Sequence, residues 1–320
     1  MSTTPHSTVP VTADAQVSDL LRRIHRVRRP SFIEMGVDAA RDFYEQSSPI
    51  LDIAAMPVRA VEDRAIPVPG GTIAARLYRG EGAPDPAPLV ILSHGGGFTL
   101  GSINSYDRIS RMLAARADCC VLSLDYRLAP EHRFPRAAED VFAAWCWAAD
   151  QAAELGIDAR KLVGLGDSAG GTLTAQACLR ARDAGLAIAG QVLIYPGVCA
   201  WQDTESHRRY GQGYLLDSAL IQWFFSHYID NADRNDWRFA PLEAPDHGNL
   251  PPTLVQLAQC DPLFDEGQDY AGRLAWSGTP VELISYDGAV HGFYNMGGAL
   301  AVARRAHADT VQFLRTVFSS

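Results

Sequence analysis

Apolar positions first recur at helical spacing near the start of the chain, with Val17, Leu20, Leu21, Ile24 and Val27 on one face and Arg22, Arg23, Arg26 and Arg28 mostly on the other. This predicts an amphipathic helix packed against the protein with a solvated basic face, in preference to one lying on anionic lipid. A second helix is expected from Ile33 to Tyr44. Arg64 to Val68 and Thr72 to Tyr78 flank Pro69-Gly70-Gly71 and read as two antiparallel strands joined by a glycine turn. Beyond a proline-rich loop at 82–88, strands and helices alternate. Apolar runs at 89–93, 120–125, 161–166, 191–195, 253–258 and 281–286 read as strands, and 106–116, 137–155, 173–182 and 300–318 as helices. The pattern predicts a mostly parallel sheet of eight strands covered by helices on both faces, an α/β architecture. The stretch 201–243 breaks the rhythm with aromatic residues and a helix from Ser218 to Tyr228, and is expected to be a cap insertion.

A chain of 320 residues with 47% hydrophobic and 20% charged residues suits one catalytic domain with a small cap. Its formal net charge of −9 opposes the phosphate neutralisation that nucleic-acid binding requires, so no nucleic-acid partner is expected. Met1 to Gln16 show no apolar run behind a basic segment, which predicts neither a secretory signal nor a membrane span and makes the cytoplasm the default location. Six cysteines, at 119, 120, 146, 178, 199 and 260, form no C-x-x-C pair and read as buried reduced thiols rather than zinc ligands or a disulfide framework.

The strand at 161–166 runs straight into Gly166-Asp167-Ser168-Ala169-Gly170-Gly171 and then a helical run. In this G-x-S-x-G context the serine sits on a strained turn with its hydroxyl projecting, and glycine flanks let the backbone close up. Upstream, the strand at 89–93 leads into His94-Gly95-Gly96-Gly97-Phe98, where successive glycines leave backbone N–H groups free to converge on one spot, as an oxyanion hole requires. His94 itself is read as a loop-ordering group. A general base and its orienting acid follow in the order acid, histidine. After the strand at 253–258 come Asp261, Asp265 and Glu266, and after that at 281–286 comes His291. Asp265 and Glu266 compete with Asp261 but are expected to begin and cap the next helix. His307, within a predicted helix among Arg304, Arg305 and Asp309, is expected to be solvated.

Together, His94-Gly-Gly-Gly-Phe98, Asp125-Tyr-Arg-Leu-Ala-Pro-Glu-His132 with Phe134-Pro135, Gly166-Asp-Ser-Ala-Gly-Gly171, Asp261-Pro-Leu with Asp265-Glu-Gly267, and His291-Gly-Phe293 resemble the bacterial hormone-sensitive lipase family (family IV) of α/β-hydrolase carboxylesterases. Asp167 places the chain with the GDSAG branch of that family. The resemblance covers the chain from about Arg64 onward. It implies an α/β-hydrolase fold, a triad of Ser168, Asp261 and His291, and oxyanion donors at the backbone N–H groups of Gly96, Gly97 and Ala169. It also implies a helical cap built from residues 1–63 and the insertion at 201–243, set on a catalytic domain spanning 64–320. Tyr126, Arg127 and Glu131 are expected to hold the loop beside the oxyanion strand.

The expected activity is hydrolysis of small esters with short to medium acyl chains through an acyl-enzyme, with no metal or organic cofactor. Phe98, Trp201, Tyr214, Leu216, Trp223 and Phe224 are the candidate pocket residues. An amidase or a deacetylase of decorated small molecules is the enzymatic alternative, because the same triad attacks amides and acetyl groups. A noncatalytic small-molecule receptor is disfavoured, because receptor relatives lose the histidine that is present here at 291. The resemblance is compatible with a homodimer.

Overall fold

The computed structural model describes residues 13–27 and 29–320, so Arg28 and the expectations for Met1 to Thr12 lie outside the described residues. Three helices come first, α1 (Ala15–Arg26), α2 (Phe32–Met35) and α3 (Val37–Leu51). The strands are β1 (Ala60–Val68), β2 (Gly71–Arg79), β3 (Ala87–Ser93), β4 (Cys120–Asp125), β5 (Ile157–Asp167), β6 (Gly190–Ile194), β7 (Thr253–Cys260) and β8 (Val281–Val290). Among them lie α4 (Asp107–Ala117), α5 (Arg136–Asp150), α6 (Ala152–Leu155), α7 (Ala169–Asp183), α8 (Glu205–Tyr210), α9 (Ser218–Tyr228) and α10 (Phe264–Trp276), and α11 (Ala301–Ser319) follows β8.

Among the described residues these strands form one eight-stranded sheet in the order β1-β2-β4-β3-β5-β6-β7-β8. β2 pairs antiparallel with both β1 and β4, and every later pairing is parallel. The sequence dictates this division. β3 reads Ala-Pro-Leu-Val-Ile-Leu-Ser and is buried at every position, as a central strand covered on both faces must be, whereas β2 alternates at its start between exposed and buried residues. On one face α5, α7 and α10 contribute Val141, Trp145, Leu173 and Leu274 to the core. On the other, α1, α4 and α11 contribute Leu21, Met112, Leu113 and Leu314. This is the α/β-hydrolase fold that the strand pattern and motifs predict.

The departures have local causes. The helix expected at 33–44 is two helices. Ser31 and Glu34 form a reciprocal cap that starts α2, Gly36 ends it with φ of +74°, and α3 then continues to Leu51. α1 buries Val17 and Leu21 but leaves Ile24 and Val27 exposed, so only its first half docks, while Arg22 and Arg23 face solvent and pair with Asp19. The expectation for His307 fails. It is fully buried and bonded through Nε2 to the Tyr294 carbonyl at 2.7 Å, because its helical neighbours Ala303, Thr310 and Val311 turn that face of α11 inward. Burial lowers its pKa to about 4, so it is neutral. The six cysteines are free thiols, and Cys146 and Cys199 are only partly buried. No helix among the described residues is long and apolar enough to cross a membrane.

Candidate active site

β5 delivers Ser168 directly into the start of α7. Ser168 has φ of +54° and ψ of −122°, a conformation costly for a residue with a Cβ, so the surrounding packing must hold it. The flanking glycines are needed for close approach rather than for unusual dihedrals. A Cβ on Gly166 would overlap the Gly170 carbonyl, and one on Gly170 would overlap the Ser93 carbonyl at the end of β3. Both obstacles are backbone and cannot swing aside. Gly170→Ala is therefore expected to destabilise the protein by about 3 kcal/mol, the upper end for overpacking a rigid interior. A urea melt reads this as a lower midpoint at unchanged slope, and a wild-type midpoint would contradict the close apposition of β3 and α7.

The imidazole and the carboxylate arrive from strands farther along the sheet. His291 directly follows β8 and Asp261 directly follows β7, so both project from carboxyl ends of parallel strands, as does Ser168. His291 Nε2 lies 2.8 Å from Ser168 Oγ, and His291 Nδ1 lies 2.7 Å from Asp261 Oδ2. Asp261 is fully buried, and its other oxygen accepts the backbone N–H of Leu263 at 2.9 Å. The three residues singled out in the sequence thus form one continuous hydrogen-bonded chain.

The glycine loop after β3 stands beside them. Gly96 and Gly97 have φ of +118° and +60°, and the turn closes through the N–H groups of Thr99 and Leu100 on the Gly96 carbonyl. Among the described residues no hydrogen bond engages the backbone N–H of Gly96, Gly97 or Ala169. The loop is braced from behind. His94 is buried and stacks on Tyr126 with ring centroids 4.3 Å apart, and the Tyr126 hydroxyl donates to the His94 carbonyl at 2.7 Å. Arg127 pairs with the buried Asp140. Glu131 accepts both terminal nitrogens of Arg41 from α3, whose remaining donors grip the carbonyls of Thr99 and Ala129. That guanidinium holds the Glu131 carboxyl down to about 2.

The alternative acids serve elsewhere, and neither caps α10. Glu266 is buried, accepts the N–H groups of Val198 and Cys199, and lies 3.2 Å from His207 of α8. Asp265 accepts the N–H of Ser206 at 2.8 Å. Both therefore tie the insertion to the segment after Asp261, and they lie in the first turn of α10, whose N-cap position is Leu263, a side chain with no acceptor to offer.

The candidate pocket residues divide. Leu216, Ile221 and Phe224 cluster with Ala40, Leu100 and Leu263, with Trp223, Met35 and Tyr44 packed alongside, and the Phe224 ring lies against Gly97. Three others fall outside this cluster. Phe98 stacks on Tyr228 at 4.0 Å within the core, Tyr214 packs edge-on to Tyr210, and Trp201 is 46% exposed under the Arg234 guanidinium. Ile221, Met35, Ala40 and Leu263, which the sequence does not single out, pack in the same cluster as Phe224, and Ile221 stands three residues before Phe224 on the same helical face. In the sequence Asp167 reads only as a motif letter. In the structure Asp167 is buried among Gly95, Tyr106 and Asn295.

Residues 90–295 match the family described as the alpha/beta hydrolase fold. The chain is 39% identical over 288 residues to the ethyl acetate hydrolase of Pseudomonas putida, which spans 88% of this chain and 90% of that protein. It is 42% identical over 270 residues to the carboxylic ester hydrolase LipN of Mycobacterium tuberculosis, covering 78% of this chain and 71% of that one. Among solved structures, an ester hydrolase from the metagenome of Lake Arreo, complexed with a bipyridine phosphonate derivative, superposes with a TM-score of 0.93 at 34% identity, covering 96% of this chain and all of that one. The chain belongs to the α/β-hydrolase family, within the carboxylesterase superfamily related to hormone-sensitive lipase.

Proposed function

We propose that this protein is a serine carboxylesterase acting on small esters, in which Ser168 is the nucleophile, His291 the general base and Asp261 its orienting acid. The observation that carries the assignment of roles is the unbroken chain from Ser168 Oγ through His291 to the buried Asp261, with bond lengths of 2.8 and 2.7 Å. His291 Nε2 takes the hydroxyl proton as Ser168 attacks the ester carbonyl, and the Asp261 carboxylate stabilises the resulting imidazolium. The N–H groups of Gly96, Gly97 and Ala169 receive the oxyanion, each contributing about 3 kcal/mol in the transition state. His291 then protonates the leaving alcohol, and a water activated by the same base releases the acid from Ser168. Asp167 assigns the enzyme to the GDSAG branch. The same reading makes α2, α3 and the insertion at 201–243 a cap on the catalytic domain 64–320, with α1 docked on the sheet instead, and makes the enzyme cytoplasmic and compatible with a homodimer.

The cap reading carries a substrate preference. Phe224 lies against Gly97, with Leu216, Ile221, Leu263 and Leu100 packed in the same cluster, and so sets a short apolar wall directly beside the oxyanion donors. Acetyl and butyryl p-nitrophenyl esters are therefore expected to turn over faster than long-chain ones. Phe224→Ala is expected to raise kcat/KM for a decanoyl ester relative to the butyryl ester about tenfold, the scale of one or two methylenes in a hydrophobic pocket. Faster hydrolysis of a long-chain triglyceride emulsion than of butyryl ester by the wild-type enzyme would overturn this pocket.

A further inference from the structure

Asp167 stands next to the nucleophile in the chain but points away from it, into a buried set of donors. Its Oδ1 accepts the backbone N–H of Gly95 at 2.9 Å. Its Oδ2 accepts the hydroxyl of Tyr106 at 2.8 Å, with the Tyr195 hydroxyl and the Asn295 amide each 3.4 Å away. Asn295 also donates to the Tyr106 oxygen at 2.9 Å, as does the Gly95 N–H at 3.0 Å. These contacts span three separate parts of the site. Gly95 precedes the two glycines of the oxyanion loop, Asp167 precedes Ser168, and Asn295 lies four residues beyond His291 in the turn Phe293–Met296. One carboxylate thus joins the elbow, the oxyanion loop and the loop that carries the base.

We propose that Asp167 is a positioning residue that sets the oxyanion amides and the general-base loop against the nucleophile, and that it does so only in its ionised form. This inference rests on the proposed roles of Ser168 and His291. The chemistry of the neighbours carries the second half. Every group that Asp167 touches is an N–H or O–H aimed at it, which suits an ion that only accepts hydrogen bonds. A protonated carboxyl would add another donor to a cluster of donors and would release at least one of them. The titratable groups facing it are the phenols of Tyr44 from α3, Tyr106 before α4, Tyr126 after β4, Tyr195 after β6 and Tyr294 after β8, together with the His291 ring. His94, kept neutral by burial, stands behind the same loop. The phenols are held protonated, since burial and the Asp167 charge raise their pKa values. Burial likewise raises Asp167, to about 6, while the Tyr106 hydroxyl, His291 and the Gly95 N–H favour the ion. The carboxylate is therefore ionised at neutral pH and is lost on mild acidification.

Two variants read this out in p-nitrophenyl butyrate hydrolysis from pH 4.5 to 8, with competent sites counted by fluorophosphonate titration. In the wild-type enzyme the acid limb of log(kcat/KM) should approach a slope of two, one of the two protons being that of Asp167. Asp167→Asn should lower kcat per competent site roughly a hundred-fold, as misplacement of reacting groups does, with KM changed less than about threefold, and its acid limb should fall to a slope of one. Tyr106→Phe removes a donor that favours the ion, so its acid limb should move to higher pH. A wild-type slope of one, a slope of two retained in Asp167→Asn, or an unmoved limb in Tyr106→Phe would overturn the proposal. Should Asp167→Asn fail to fold, the Tyr106→Phe limb decides alone. Failure of the triad reading shows separately, as turnover retained by Ser168→Ala.

Discussion

Ser168→Ala is expected to lower kcat about a million-fold, the scale seen when an activated nucleophile is deleted. The loss is large because the hydroxyl supplies the new covalent bond, and no neighbour can replace it. Asp261 is fully buried, and the only other side chain in the hydrogen-bonded chain is the imidazole that needs a proton to accept. The substitution removes one oxygen from a strained position that alanine can occupy at no greater backbone cost, so the protein should stay folded. What survives is the contribution of the oxyanion amides and of binding. The measurement is turnover of p-nitrophenyl butyrate by enzyme free of contaminating esterase, paired with fluorophosphonate labelling. Wild-type enzyme should label at Ser168 and the variant should not. Substantial turnover or labelling without the hydroxyl would remove Ser168 from the mechanism.

Asp261→Asn should be the next most damaging change, about ten-thousand-fold in kcat, and the structure shows why an isosteric side chain fails. The Leu263 N–H donates to Oδ1 of Asp261, while Oδ2 faces His291 Nδ1. In the variant that N–H holds the amide oxygen on its own side and leaves the NH2 group facing Nδ1. His291 must then carry its proton on Nε2, where it donates toward Ser168 instead of accepting from it. The expected size matches loss of the working tautomer in a serine triad. Steady-state kinetics with an unchanged urea midpoint would separate this from unfolding. Activity within tenfold of wild type would show that another acid orients the base, but Asp265 and Glu266 are both committed to backbone groups of other segments.

Those two residues also mark where sequence reading stops. Strand ends are legible because a central parallel strand is largely apolar, and the chemistry follows where that run breaks, at His94, Ser168 and Asp261, whereas His291 follows an edge strand that is apolar and buried mainly at its end. The two elbow glycines are legible for the same reason, since their neighbours in space are also near in sequence or held by adjacent strands. Side chains whose partners come from distant segments are not. Nothing near Glu266 announces that it will accept Val198 and Cys199, and nothing near Arg41 announces Glu131, ninety residues away. His307 was misjudged because the charges beside it were read and its helical neighbours Ala303, Val311 and Leu314 were not. Of the six candidate pocket residues, Leu216, Trp223 and Phe224 share one apolar cluster and the other three do not. Aromatic content pointed to α9 and its approach, but the face that meets Gly97 is fixed only once α2 and α3 have packed against it.

The sheet order has a consequence for when this molecule becomes an enzyme. β8 lies at the border of the sheet and pairs only with β7, yet it is the strand that presents His291. The chain up to β7 carries the nucleophile turn and the glycine loop but not the imidazole, and it also lacks α11, which lines one face of the sheet. On the proposed triad, competence therefore requires this border strand to be docked. Catalytic rate is therefore expected to respond to damage at this margin that a probe averaging over the whole molecule would dilute.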